Sequence, residues 1–134
     1  MITGSCHCRT VQFEIAGEID GIWHCHCETC QKLTGTVYGS TGFVPVGAFN
    51  ITAGQAALTG YESSPGKKRY FCSKCGAPVY TLAQANPGKI GVRIGAVDGD
   101  PCIQSRAHIW MSHHPAWYEV ETGLPSYAEY PPET

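Results

Sequence analysis

Apolar and polar residues alternate over short distances along this chain. Val11, Phe13 and Ile15 fall on one side of an extended segment, and Gln12 and Glu14 on the other, which is the period of a half-buried strand. Short runs at 38–46, 49–52, 57–61, 68–72, 79–82, 90–97 and 107–110 read as further strands, cut by glycine and proline. Pro65-Gly66 and Asn86-Pro87-Gly88 predict turns. One segment predicts a helix, the short run 28–34, with Gly35 placed to stop it. From Pro125 onward the chain reads as a surface strap or a frayed end. No repeat and no low-complexity linker divides it, so residues 1–134 are expected to form one mainly β domain of short antiparallel strands.

Composition supports many turns and argues against long helices. Sixteen glycines and nine prolines in 134 residues exceed their usual joint share of about an eighth. Charged residues are 15% of the chain and the net charge is −2. A non-specific nucleic-acid binder carries a basic surplus, so no nucleic-acid partner is expected. The longest uncharged stretch, 37–61, is broken by glycines and polar residues and does not read as a membrane span. The first residues lack the basic start and apolar run of a secretory signal, so a cytoplasmic address is expected. Thiols stay reduced there, and eight cysteines then point to metal binding or catalysis rather than to disulfides.

Seven of those cysteines form three groups: Cys6-His7-Cys8, Cys25-His26-Cys27-Glu28-Thr29-Cys30, and Cys72-Ser73-Lys74-Cys75-Gly76. On an extended segment, residues two apart point the same way, with Cα atoms roughly 6.5–6.8 Å apart. That is the far limit for a disulfide, yet two such sulfurs can share one ion at ~2.3 Å each. The Cys-x-x-Cys-Gly group is a metal knuckle, its glycine free to turn backbone N–H groups toward sulfur. A closed structural zinc needs four ligands, which Cys6, Cys8, Cys72 and Cys75 supply. Cys25, Cys27 and Cys30 remain, and three protein ligands with one open position is the pattern of a catalytic zinc. A fourth ligand from Cys102, His24, His26 or His108 would instead close this second site. Cys27 and Cys30 also have a redox spacing, but the sequence suggests no strand-then-helix setting for it, and Cys25 crowds it.

Other candidates carry weaker signals. His26 lies between two ligands, so on an extended loop its ring points away from the metal and reads as packing. His7 has the same geometry and is given no function, whereas His24 could reach the pocket. Arg106, His108 and Trp110 alternate on one predicted strand. They are candidates for substrate binding, the arginine gripping a carboxylate, or else form a core-edge strand with a stacked Arg–Trp pair. Lys67, Lys68 and Arg69 read as a solvated strand end or as a carboxylate patch. His113-His114 looks like a loop, and Cys102 like a small apolar residue or a free thiol.

The same motifs resemble the CENP-V/GFA family, the glutathione-dependent formaldehyde-activating type. The matching pieces are Gly4-Ser5-Cys6-His7-Cys8, the run from Cys25 to Lys32 with Thr34-Gly35, and Arg69-Tyr70-Phe71-Cys72-Ser73-Lys74-Cys75-Gly76. Near the end, Arg106-Ala107-His108-Ile109-Trp110, Pro115-Ala116-Trp117 and Gly123-Leu124-Pro125 also fit. The resemblance implies an Mss4-like β fold with two zinc ions, one structural on Cys6, Cys8, Cys72 and Cys75, and one catalytic on Cys25, Cys27 and Cys30. It implies a carbon–sulfur lyase that acts on thiol–aldehyde adducts, with S-hydroxymethylglutathione formed from glutathione and formaldehyde as the named candidate. The alternative is a non-catalytic zinc scaffold that binds a protein or a small thiol. The family's centromere-associated branch suggests chromatin, which this chain has no basic patch to support.

Overall fold

The computed structural model describes residues 1–120 and 122–132. In chain order the strands are β1 (Ile2–Ser5), β2 (Gln12–Ile15), β3 (Ile22–Cys25), β4 (Gly39–Pro45), β5 (Phe49–Ala53), β6 (Leu58–Ser64), β7 (Lys67–Cys72), β8 (Pro78–Ala83), β9 (Lys89–Arg93) and β10 (Ser105–Ile109). The helix α1 (Glu28–Thr34) follows β3. A small sheet has the order β1-β2-β5, and a large one the order β10-β3-β4-β9-β8-β7-β6. Every pairing is antiparallel except β10 with β3, which run parallel.

The predicted alternation of 11–15 sets the core. Val11, just before β2, and Phe13 and Ile15 within it are buried, and they share a core with Val44, Val79 and Val92 of the large sheet. Burying each such side chain contributes about 1.5–3 kcal/mol. Gly4 lies opposite Phe13, and a Cβ there would enter the Phe13 ring.

Local chemistry fixes both ends of α1. Cys27 is its N-cap, the sulfur accepting the Cys30 N–H at 3.3 Å. Gly35 ends the helix at φ 72°, in the left-handed region where glycine carries no Cβ penalty, and its N–H donates to the Gln31 carbonyl. Residues 125–129 of the tail hydrogen-bond to β10 and the turn that follows it. His108 N–H donates to Pro125 O, Tyr127 N–H to His108 O, and Trp110 N–H to Glu129 O.

Two expectations change. Strands β1 and β3 have no clear alternation, since Ile2-Thr3-Gly4-Ser5 and Ile22-Trp23-His24-Cys25 gain their pairing from neighbouring strands. The run 90–97 stops as a strand at Arg93 and turns through one 3-10 turn at Ile94–Ala96. No helix among the described residues is long and apolar enough to cross a membrane.

Candidate metal centres

Cys6 and Cys8 lie in the turn between β1 and β2, and Cys72 and Cys75 flank the turn between β7 and β8. Their four sulfurs come within 4.8 Å of one another. Cys6 Sγ to Cys8 Sγ is 3.7 Å, and Cys8 Sγ to Cys72 Sγ is 3.8 Å. A tetrahedral zinc with bonds of ~2.3 Å spaces its sulfurs about 3.8 Å apart, so this donor set fits zinc. Backbone N–H groups support the charged form. Val11 N–H donates to Cys6 Sγ at 3.3 Å. N–H groups at Cys8 and Ala77 bring the Cys75 thiol down to about 6, and the Thr10 hydroxyl lowers that of Cys8. Gly76, at φ 79°, makes the tight knuckle.

The second centre is built where β3 runs into α1. Cys25 ends the strand, Cys27 caps the helix, and Cys30 lies buried on its first turn. Their sulfurs also lie within 4.8 Å of one another, and no other His, Cys, Asp or Glu among the described residues joins the group. Three soft thiolates again suit zinc. The neighbouring sulfurs of Cys25 and Cys27, with the Arg93 and Arg69 guanidiniums, push the Cys30 thiol down. The same sulfur contacts, with Cys27 first and Cys30 next, push the Cys25 thiol up. Cys27 and Cys30 therefore do sit at a strand-to-helix junction, contrary to the sequence expectation. The third sulfur of Cys25 in the same cluster still separates this site from a simple dithiol pair.

Two arginines 24 positions apart converge on this centre. Arg69 Nη1 lies 3.7 Å from Cys30 Sγ, while its Nε donates to Ser63 Oγ at 2.8 Å. Arg93 is buried, 7% exposed, with Nη1 donating to Thr41 Oγ1 at 3.1 Å. It occupies the space beside Gly39, the cross-strand partner of Cys25, where any Cβ would collide with the guanidinium. Lys67 is close enough to feel the same thiolates, though burial lowers its pKa. The basic run of 67–69 thus contributes a site residue, Arg69, whereas Arg93 carried no sequence signal. Gly39→Ala is expected to displace Arg93 and cost about 1–3 kcal/mol; a thermal melt with metal analysis checks this.

The candidate fourth ligands go elsewhere. His24 places Nδ1 2.8 Å from Ser40 Oγ and Nε2 2.9 Å from Ser105 Oγ. His26 is fully buried, its Nε2 2.9 Å from His108 Nδ1, and His108 Nε2 reaches Thr122 Oγ1 at 2.7 Å. Burial lowers His26 to about 4 and lowers His24 and His108 as well. All three rings pack against Tyr38. His26 Nδ1 is buried without a partner among the described residues. Cys102 is exposed beside Asp100, at φ 58°.

Arg106, His108 and Trp110, the candidate substrate trio, lie in three different surroundings. A register shift between Ser105 and Ala107 interrupts the alternation. Arg106 is exposed and paired with Asp20 at 3.1 Å, His108 is sealed in the core, and Trp110 packs on His113 and Tyr130.

Comparison with known proteins gives this geometry a family. A family model described as glutathione-dependent formaldehyde-activating enzyme matches residues 1–113. Two fungal proteins provisionally named as such enzymes are similar over 77 residues. That of Emericella nidulans is 31% identical, covering 56% of this chain and 39% of its own length. That of Talaromyces marneffei is 29% identical, covering 56% and 41%. The chain thus spans about two fifths of the length of the curated relatives it matches. A solved structure of a Rhodobacter sphaeroides protein superposes with a TM-score of 0.63 at 23% identity, covering 72% of this chain and 88% of that one, which supports the fold.

Proposed function

The chain belongs to the glutathione-dependent formaldehyde-activating enzyme family, and from that premise we propose that it is a zinc-dependent carbon–sulfur lyase acting on thiol–aldehyde adducts. The family's name puts glutathione and formaldehyde first as substrates. We assign a structural zinc to Cys6, Cys8, Cys72 and Cys75, and a catalytic zinc to Cys25, Cys27 and Cys30. The observation that carries this reading is the asymmetry of the clusters, four sulfurs in one and three in the other. A cytoplasmic setting keeps all eight cysteines as the free thiols seen here.

In the forward direction an S–C bond forms between the thiol sulfur and the aldehyde carbon. The carbonyl π pair moves to oxygen, which gains the proton that sulfur gave up, and the reverse reaction undoes each change. Zinc on three thiolates would supply a position for one more sulfur and keep that sulfur deprotonated. The chain's residues do the rest. Arg69 lies 3.7 Å from Cys30 Sγ and Arg93 sits beside Gly39, the cross-strand partner of Cys25, so that their positive charge helps a further anionic sulfur to be tolerated. Gln31 fixes the surrounding loops by donating to His26 O at 2.7 Å and His113 O at 2.8 Å. Holding thiol and aldehyde side by side supplies much of the rate.

NMR exchange spectroscopy on zinc-loaded protein with glutathione and formaldehyde tests this. The free and hydroxymethylated thiol signals are expected to interconvert at least about tenfold faster than without protein. A rate equal to the background, for this and every other thiol–aldehyde pair tried, would leave the scaffold reading in place.

A further inference from the structure

A cavity of about 480 Å³ adjoins the three-cysteine centre, lined by Leu33 of α1 and by Tyr61, Tyr70, Phe71, Arg69 and Arg93, among others. Arg69 in this lining lies 3.7 Å from Cys30 Sγ, and Arg93 fills the space beside Gly39, the cross-strand partner of Cys25, so cavity and cluster share a wall. Its aromatic side is preorganised. Tyr70 stacks on Tyr80 at 4.6 Å with the planes 7° apart, and Tyr80 packs on Phe49 at 5.0 Å. Gly60 lets Tyr70 lie close over β6, where a Cβ would come to 2.9 Å from the ring.

The charges in this cavity are unusual. Among the described residues the ion pair is Arg106 with Asp20, and neither Arg69 nor Arg93 has a carboxylate within pairing distance. Zinc on three thiolates would carry one net negative charge against these two guanidiniums, which leaves one positive charge to favour an anionic occupant. No aspartate or glutamate lines the cavity, so an ammonium group entering it would lose its water without gaining a partner.

We propose that this cavity seats the body of the substrate thiol, and that the preferred thiol is an aryl or branched-alkyl mercaptocarboxylate rather than a zwitterionic peptide thiol. The inference rests on the lyase reading above and narrows it. The carboxylate pairs with Arg93 or Arg69, the apolar body lies on Tyr61, Tyr70 and Phe71, and the sulfur faces the cysteine cluster. Glutathione brings an α-ammonium and a second carboxylate for which this lining has no partner.

Two measurements test it. Zinc-loaded protein is titrated with 3-phenylpropionate, which has no thiol, and with phenethylamine, its cationic counterpart, while aromatic NMR signals of Tyr70, Phe71 and Tyr80 are followed. The carboxylate is expected to shift them saturably and the amine not to. Tyr61→Ala, at an exposed position, is expected to weaken the carboxylate about tenfold with an unchanged melt. In the exchange experiment, 2-mercapto-3-phenylpropionate is expected to surpass glutathione about tenfold in kcat/KM. Equal shifts by amine and acid, no shift by either, or a preference for glutathione would overturn the proposal. Absence of exchange with every thiol would instead strike the lyase reading, and the ring shifts would still decide whether the cavity selects apolar carboxylates.

Discussion

Cys72→Ser is expected to abolish cooperative folding. Cys72 is fully buried at the end of β7, and its sulfur meets that of Cys8, 64 positions earlier, at 3.8 Å. Cys6 and Cys8 lie on the β1–β2 turn of the small sheet and Cys72 and Cys75 at the β7–β8 turn of the large one, so a metal on the four sulfurs would clamp the two sheets together. Structural zinc contributes about 10–16 kcal/mol of apparent folding free energy in small domains. A domain's whole stability is about 5–15 kcal/mol. Losing one of four ligands, and leaving a buried hydroxyl among three thiolates, therefore removes a large part of the total. Circular dichroism melts with metal analysis check this; a cooperative melt within a few degrees of the parent, with two metals retained, would refute the clamp. Strong chelation is expected to unfold the parent in the same way.

Cys30→Ser is expected to do the opposite, removing activity and sparing the fold. Cys30 is 3% exposed on the first turn of a seven-residue helix. The hydroxyl keeps its proton where the thiol gives it up, so the cluster loses the thiolate that Arg69 and Arg93 face. Metal content should fall from two to one per chain, and thiol–aldehyde exchange should fall at least ~100-fold, beyond the loss seen when only a ligand's supporting hydrogen bond is removed. The stability cost should be about 1–3 kcal/mol, that of a buried polar group with imperfect partners. The contrast between the two variants separates the roles. If Cys30→Ser unfolded the chain as Cys72→Ser does, both centres would be structural.

Short-range chemistry explains what could be read in advance. Cys-x-Cys and Cys-x-x-Cys-Gly place sulfurs within one or two residues of each other, so spacing alone indicates shared ions. Gly35 stops α1 through its own backbone freedom, and Val11, Phe13 and Ile15 declare a buried face by their alternation. Strand β3 escaped notice because it is held on both sides, by β10 and β4. Interior strands need no polar face, so Trp23 and His24 follow no simple pattern.

The amino-acid order by itself determined which cysteines stand in pairs at metal-ligand spacing, where the helix begins and ends, and that the rest would be short strands. Only the tertiary structure brought the sulfurs of Cys6, Cys8, Cys72 and Cys75 within 4.8 Å of one another, and set Arg69 and Arg93 beside the three-cysteine cluster rather than Arg106 and His108. The reason is that strand order within a sheet is set by packing over the whole core. Residues far apart on β7 and β9 become neighbours of α1 through that order, and no local pattern records it.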